Sequence, residues 1–165
     1  MGSKRVTYCW DSNVLIAWVA EEAGAPLDDM QLVMNEIDVG TAALLVPVTA
    51  YSEVLEAKNT PEQMTKFRRF LERSNVVVAD TTKAIAEKAG EIRSKGLAGK
   101  PKRKIETPDA TFMATAIIYR ADAFHTLEMS QLPQLSKTDV VDKLLICAPG
   151  PLSGHRSFIP PGDST

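Results

Sequence analysis

Two spacings of apolar positions alternate along the chain. Short unbroken runs read as strands buried on both faces: "RVTYCW" (5–10), "ALLVPV" (43–48), "NVVVAD" (75–80), "DAFHTL" (122–127) and "KLLICAP" (143–149). Between them lie stretches with apolar residues three or four apart. Leu27, Met30, Met34 and Ile37 form one such stripe, Met64, Phe67 and Leu71 a second, and Ile85, Ala89 and Ile92 a third. Thr49 is placed to cap the helix "AYSEVLEAK", while Thr60 and Pro61 open the next. Strands alternating with helices predict an α/β domain around a mostly parallel central sheet of about five strands.

The predicted domain spans residues 1–149. From Ala148 the pattern breaks down into "APGPLSGHRSFIPPGDST", which holds four of the ten prolines and three of the nine glycines. Such a composition buries little of itself, so residues 150–165 are expected to form an irregular tail. No apolar run approaches the ~18 residues of a membrane span, and the N-terminus lacks the apolar core of a signal peptide. The expected location is cytoplasmic. The net charge of −2 excludes coating of nucleic acid by bulk charge but leaves room for a local basic patch. "GKPKRK", Gly99 to Lys104, is the one dense basic run. Cys9 and Cys147 fall in strand-like segments as small buried hydrophobes, and two Cys and two His without close spacing argue against structural zinc.

Four acids have surroundings that solvated acids seldom have. Asp11 follows the first strand directly, at the sheet edge where ligands bind in open α/β folds. It is equally a good N-cap for whatever helix follows. Glu53 has Ala50 and Ala57 one turn away and points inward more readily than Glu56, although a solvated helix acid is the common alternative. Thr107 and Pro108 resemble a cap and first helical position, which puts Asp109 one turn before Met113 on the core stripe. The helix dipole also favours an acid there. Glu128 follows the fourth strand, and by its own neighbours it reads first as an ordinary loop residue. Acids converging in one low-dielectric cleft resist ionisation together. A divalent cation resolves that conflict, and a carboxylate set suits Mg²⁺ or Mn²⁺.

The order of these pieces resembles the PIN-domain family. The likeness is carried by "WDSNVLI", by Glu53 in "VPVTAYSEVL", by Asp109 in "PDATFMATAI" and by "HTLEM", and covers about Val6 to Pro149. It implies a three-layer α/β/α fold and a Mg²⁺- or Mn²⁺-dependent ribonuclease of the VapC toxin type, leaving a 5′-phosphate and a 3′-hydroxyl. Asp11, Glu53 and Asp109 match the family's acidic core, and Glu128 matches a position usually held by Asp. Ser12, Asn13 and Thr126 would orient the acids, while Lys100, Lys102, Arg103 and Lys104 would guide an RNA backbone. The resemblance also implies a homodimer restrained by an antitoxin. Two alternatives stay open: a nuclease of RNA processing outside any toxin pair, and a PIN-like module that binds RNA or protein without cutting.

Overall fold

The apolar run at the start of the chain becomes the middle strand of the sheet, and that placement sets everything else. In the computed structural model, which describes residues 4–152, β1 (Val6–Trp10) pairs in parallel with β2 (Ala42–Pro47) on one side and β4 (Ala123–His125) on the other. β3 (Val76–Ala79) and β5 (Ile146–Cys147) complete the order β3-β2-β1-β4-β5, all parallel. Tyr8, Cys9 and Trp10 are fully buried, as expected of a central strand covered on both faces.

Six α-helices cover the sheet among the described residues. α1 (Ser12–Ala20) packs on α3 (Val48–Glu56) and α4 (Pro61–Leu71); α2 (Leu27–Asp38) lies against β2; and α5 (Lys83–Ala98) lies along α6 (Thr107–Ile118). The three-layer α/β architecture agrees with the sequence reading. The helical stripes do too: Met30, Met34 and Ile37 are buried on α2, Phe67 on α4, and Ile85, Ala89 and Ile92 on α5. Met64 and Leu71 are only partly covered, and Phe70 takes the deeper place.

Two expected caps fall elsewhere. β2 runs straight into α3, which begins at Val48 after Pro47, so Thr49 lies inside the helix and cannot cap it. Its hydroxyl is buried with no hydrogen-bond partner among the described residues. α6 begins at Thr107 with Glu106 at the cap position, one residue earlier than expected. Proline's fixed φ and missing N–H suit either of the first two helical positions, so Pro108 by itself could not fix the start. Thr60 does cap α4, its hydroxyl accepting from the Gln63 amide at 3.1 Å in a reciprocal capping box. Two short 3₁₀ turns, Leu132–Leu135 and Asp139–Val141, precede β5, which is only two residues long; no periodicity announced them.

Beyond Leu152, the expected Pro/Gly-rich tail and His155 lie outside the described residues. No helix among the described residues is long and apolar enough to cross a membrane.

Candidate metal centre

β1 and β4 are neighbours although about two thirds of the chain separates them, so the sheet reverses its direction of strand addition between them. In parallel sheets that reversal opens a crevice at the carboxyl ends of the strands. Asp11 follows β1 at this point, and Thr126 to Glu128 follow β4. The Asp11 amide donates to the His125 carbonyl at 3.2 Å, tying the two strand ends together.

The Asp11 side chain divides its oxygens between two tasks. Oδ1 accepts from the Val14 amide at 3.1 Å and caps α1. Oδ2 is buried and makes no hydrogen bond of good geometry among the described residues, although the Thr126 hydroxyl lies close enough to act on the carboxylate. The residue is 1% exposed. Burial drives its pKa up to about 7; the Thr126 hydroxyl and the Val14 amide pull it down, while the charges of Asp109 and Glu53 push it further up. The capping hydrogen bond accounts for Oδ1 and leaves Oδ2 unexplained.

Asp109 sits in the first turn of α6, half-buried. Burial raises its pKa first, followed by the charges of Glu128, Glu53 and Glu106. Glu53 is half-buried on α3, whereas Glu56, one turn on, is exposed. Glu106 was not singled out in the sequence; its spacing of three from Asp109 was the available signal. Among the described residues no three His, Cys, Asp or Glu side chains are gathered closely enough to hold a metal ion as they stand. The acids feel one another through the field, which reaches well beyond ligand distances in a partly dry cleft.

Glu128 differs from the other three. Its carboxylate accepts from the Ser130 hydroxyl and from the amides of Ser130 at 2.8 Å, Gln131 at 3.0 and 3.1 Å and Leu132 at 2.7 Å. Partial burial alone would raise its pKa, but these donors together hold it below the usual range. The longer side chain thus reaches back into its own loop, and its charge acts on Asp109 from there. Thr126 is buried; its hydroxyl accepts from the Glu128 amide at 3.0 Å. Asn13 Oδ1 accepts from the Leu127 amide at 3.2 Å, so the start of α1 holds the loop after β4. Ser12 opens α1 and is partly exposed.

The basic run is not a free loop. The Arg93 guanidinium donates to the Ile105 carbonyl at 3.0 Å, and the Arg103 amide donates to the Gly96 carbonyl at 2.8 Å. A β-carbon at Gly96 would stand 2.8 Å from the Arg103 carbonyl oxygen, so only glycine admits this approach. Lys102, Arg103 and Lys104 line a cleft of about 520 Å³ together with Asp109. Lys100 falls outside it, on a neighbouring cavity of about 200 Å³.

His125 belongs to the core, as a packed strand histidine would. Its ring lies 4.9 Å from that of Tyr8, and its Nδ1 accepts from the Trp10 indole at 3.0 Å. Burial lowers its pKa to about 4, so the ring is neutral at physiological pH. Cys9 and Cys147 are both free, and burial raises both thiols.

A family model described as the PIN domain matches residues 8–129. No curated protein matches the chain. Among solved structures, VapBC2 from Rickettsia felis bound to a DNA fragment from their promoter is similar at 15% identity and a TM-score of 0.61, covering 86% of this chain and 97% of that one. VapBC-1 from nontypeable Haemophilus influenzae is similar at 15% identity and a TM-score of 0.57, covering 87% and 98%. A toxin–antitoxin complex from Klebsiella pneumoniae follows at 18% identity and 0.53, covering 76% and 92%.

Proposed function

Because the chain belongs to the PIN-domain family, we propose that it is a metal-dependent endoribonuclease that hydrolyses RNA phosphodiester bonds, acting as the toxin of a VapBC-like pair. The observation that carries this reading is the buried, unpartnered Oδ2 of Asp11, in the fields of Asp109 and Glu53. A carboxylate left in that condition either stays protonated or meets a cation, and oxygen ligands of this kind suit Mg²⁺ or Mn²⁺. Asp11, Asp109 and Glu53 would hold the ion, with Glu128 contributing charge from its loop. Once bound, such an ion supplies Lewis acidity, making water more acidic and neutralising charge on phosphoryl oxygens.

The chain's own residues prepare that chemistry. The Val14 amide fixes the orientation of Asp11 through Oδ1, leaving Oδ2 free to face the cation. A cation held here would favour the deprotonated Asp11 carboxylate, so its binding would tighten with rising pH. Lys102, Arg103 and Lys104 draw the phosphate backbone toward Asp109 without specifying sequence. The products would be a 5′-phosphate and a 3′-hydroxyl.

The structural relatives that are toxin–antitoxin complexes support restraint by an antitoxin; a homodimer in the cytoplasm belongs to the same reading and rests on the family resemblance alone. A second reading, a module that binds RNA without cutting it, is favoured by one observation: both Glu128 oxygens are already engaged. One experiment separates them. Purified protein is incubated with cellular RNA and Mg²⁺ or Mn²⁺, beside an EDTA control and an Asp11→Asn variant. Discrete fragments absent from both controls support the nuclease. RNA retained but uncut by the wild type would favour the binding module.

A further inference from the structure

The cleft beside Asp109 is not lined as a phosphate surface alone would be. Lys102, Arg103 and Lys104 supply cations, Lys104 already paired with Glu106 of the same cleft at 3.5 Å, yet Ile105, Leu132 and Leu135 line it as well and are only 5%, 4% and 3% exposed. A phosphodiester backbone calls for charge and hydrogen-bond donors and gains nothing from an apolar floor. Cations beside buried aliphatic side chains suit a ligand with a flat apolar body and an anionic arm. The cleft's volume of about 520 Å³ is of the order of small-molecule sites. Gln131 also lines it, is exposed, and carries an amide able both to donate and to accept.

Both walls are fixed before any ligand arrives. Arg93 and Gly96 hold the 101–106 segment onto α5. The Glu128 carboxylate holds the other wall through the Gln131 and Leu132 amides. Arg103 donates to the Gln134 side chain, joining the two walls. Preorganisation of this kind reduces the ordering cost of binding.

We propose that this cleft is a nucleoside subsite, in which one base lies on Ile105, Leu132 and Leu135 while its phosphate meets Lys102–Lys104 and leads the chain to Asp109. That RNA is the source of the nucleoside rests on the nuclease reading. Single-stranded RNA is recognised in this way, with splayed bases packed on side chains and read at their edges. Gln131 is then the residue that ranks the four bases.

The test uses the wild-type protein, methyl-labelled for NMR, with each of the four nucleoside 5′-monophosphates and with ribose 5-phosphate as probes. The mononucleotides should move the methyl signals of Ile105, Leu132 and Leu135, whereas ribose 5-phosphate moves only amides of the basic segment. Gln131→Ala, an exposed substitution whose backbone amide stays with Glu128, should change the ranking of the four nucleotides about fivefold or more. Unmoved methyls, or equal binding of ribose 5-phosphate, would overturn the subsite. RNA cleaved with the methyls unmoved overturns the subsite alone; mononucleotides bound with RNA uncut leaves the subsite standing and removes the nuclease.

Discussion

Replacing Asp11 by Asn should stabilise the metal-free protein at alkaline pH while abolishing the proposed nuclease activity. The Asn carbonyl still accepts from the Val14 amide, and Asn is as good an N-cap as Asp, so α1 keeps its start. What disappears is the cost of an ionised, unpartnered carboxylate. Asp11 is raised from 3.8 to about 7 by burial first and neighbouring acids after. At ~1.4 kcal/mol per pKa unit, that shift sets an upper bound of about 4 kcal/mol on the penalty. The sign follows from proton counting. The folded state holds this proton more tightly than the unfolded state, so the stabilisation is complete below the unfolded value near 4 and is lost as pH rises through about 7. Urea unfolding in EDTA at pH 5 and pH 8 measures it. The variant should gain roughly 2–4 kcal/mol over wild type at pH 8 and markedly less at pH 5. Adding Mg²⁺ or Mn²⁺ at pH 8 should recover stability in the wild type only, because the ion binds the folded state. Equal stability of the two proteins at pH 8, with the same pH dependence, would refute the assignment of Asp11 as a strained carboxylate awaiting a cation.

His125 shapes the opposite limb. Burial depresses it to about 4, so its contribution is present above the unfolded value near 6.5 and lost as pH falls through about 4. His125→Phe should flatten that acid limb, at a cost of about 1–3 kcal/mol at neutral pH from the Trp10 indole N–H left unpaired; an unchanged acid limb in chemical denaturation would contradict this. Glu128→Ala leaves the Ser130, Gln131 and Leu132 amides without their carboxylate acceptor and should cost about 1–2 kcal/mol, while Glu128→Gln keeps one carbonyl acceptor and loses less. Calorimetry that ranked Gln below Ala would exclude this bracing of the loop. Gly96→Ala forces a β-carbon to within 2.8 Å of the Arg103 carbonyl and should destabilise by roughly 1–3 kcal/mol through overpacking. It should weaken RNA binding as well, and unchanged affinity in a filter-binding assay would argue against an ordered basic segment. Lys102→Ala and Lys104→Ala should each lower the slope of log affinity against log salt by about 0.7, which a salt titration with a fixed single-stranded oligonucleotide reads directly.

Much of the architecture was legible because strands buried on both faces and helices covering a sheet write their periods into the chain. Val6–Trp10 and Val76–Ala79 fall within the apolar runs, and Ala42–Pro47 starts one residue before its run; Met30, Met34 and Ile37 of α2 and Ile85, Ala89 and Ile92 of α5 are buried as the stripes place them, with Val33 and Gly96 buried besides and Leu27 only partly covered. Caps were less secure. Thr60 carries a complete local signal in Pro61 and Gln63, whereas Thr49 was overruled by a strand that passes directly into its helix. Asp11, Glu53 and Asp109 stood out through their own neighbours, since an acid on an apolar stripe conflicts with its period.

What the sequence by itself determined is therefore the set of elements and the identity of the unusual acids, both carried by residues within a turn or two of one another. Only the tertiary structure decided how they act. β4 lies beside β1 rather than β3, so Asp11 meets Thr126 across the chain and its Oδ2 loses its water with no partner in exchange. Glu128 turns back on its own amides, and Gly96 brings the basic segment onto the same cleft as Asp109. Desolvation, hydrogen-bond allocation and the sum of several charges depend on contacts distant in sequence, and no local pattern encodes them.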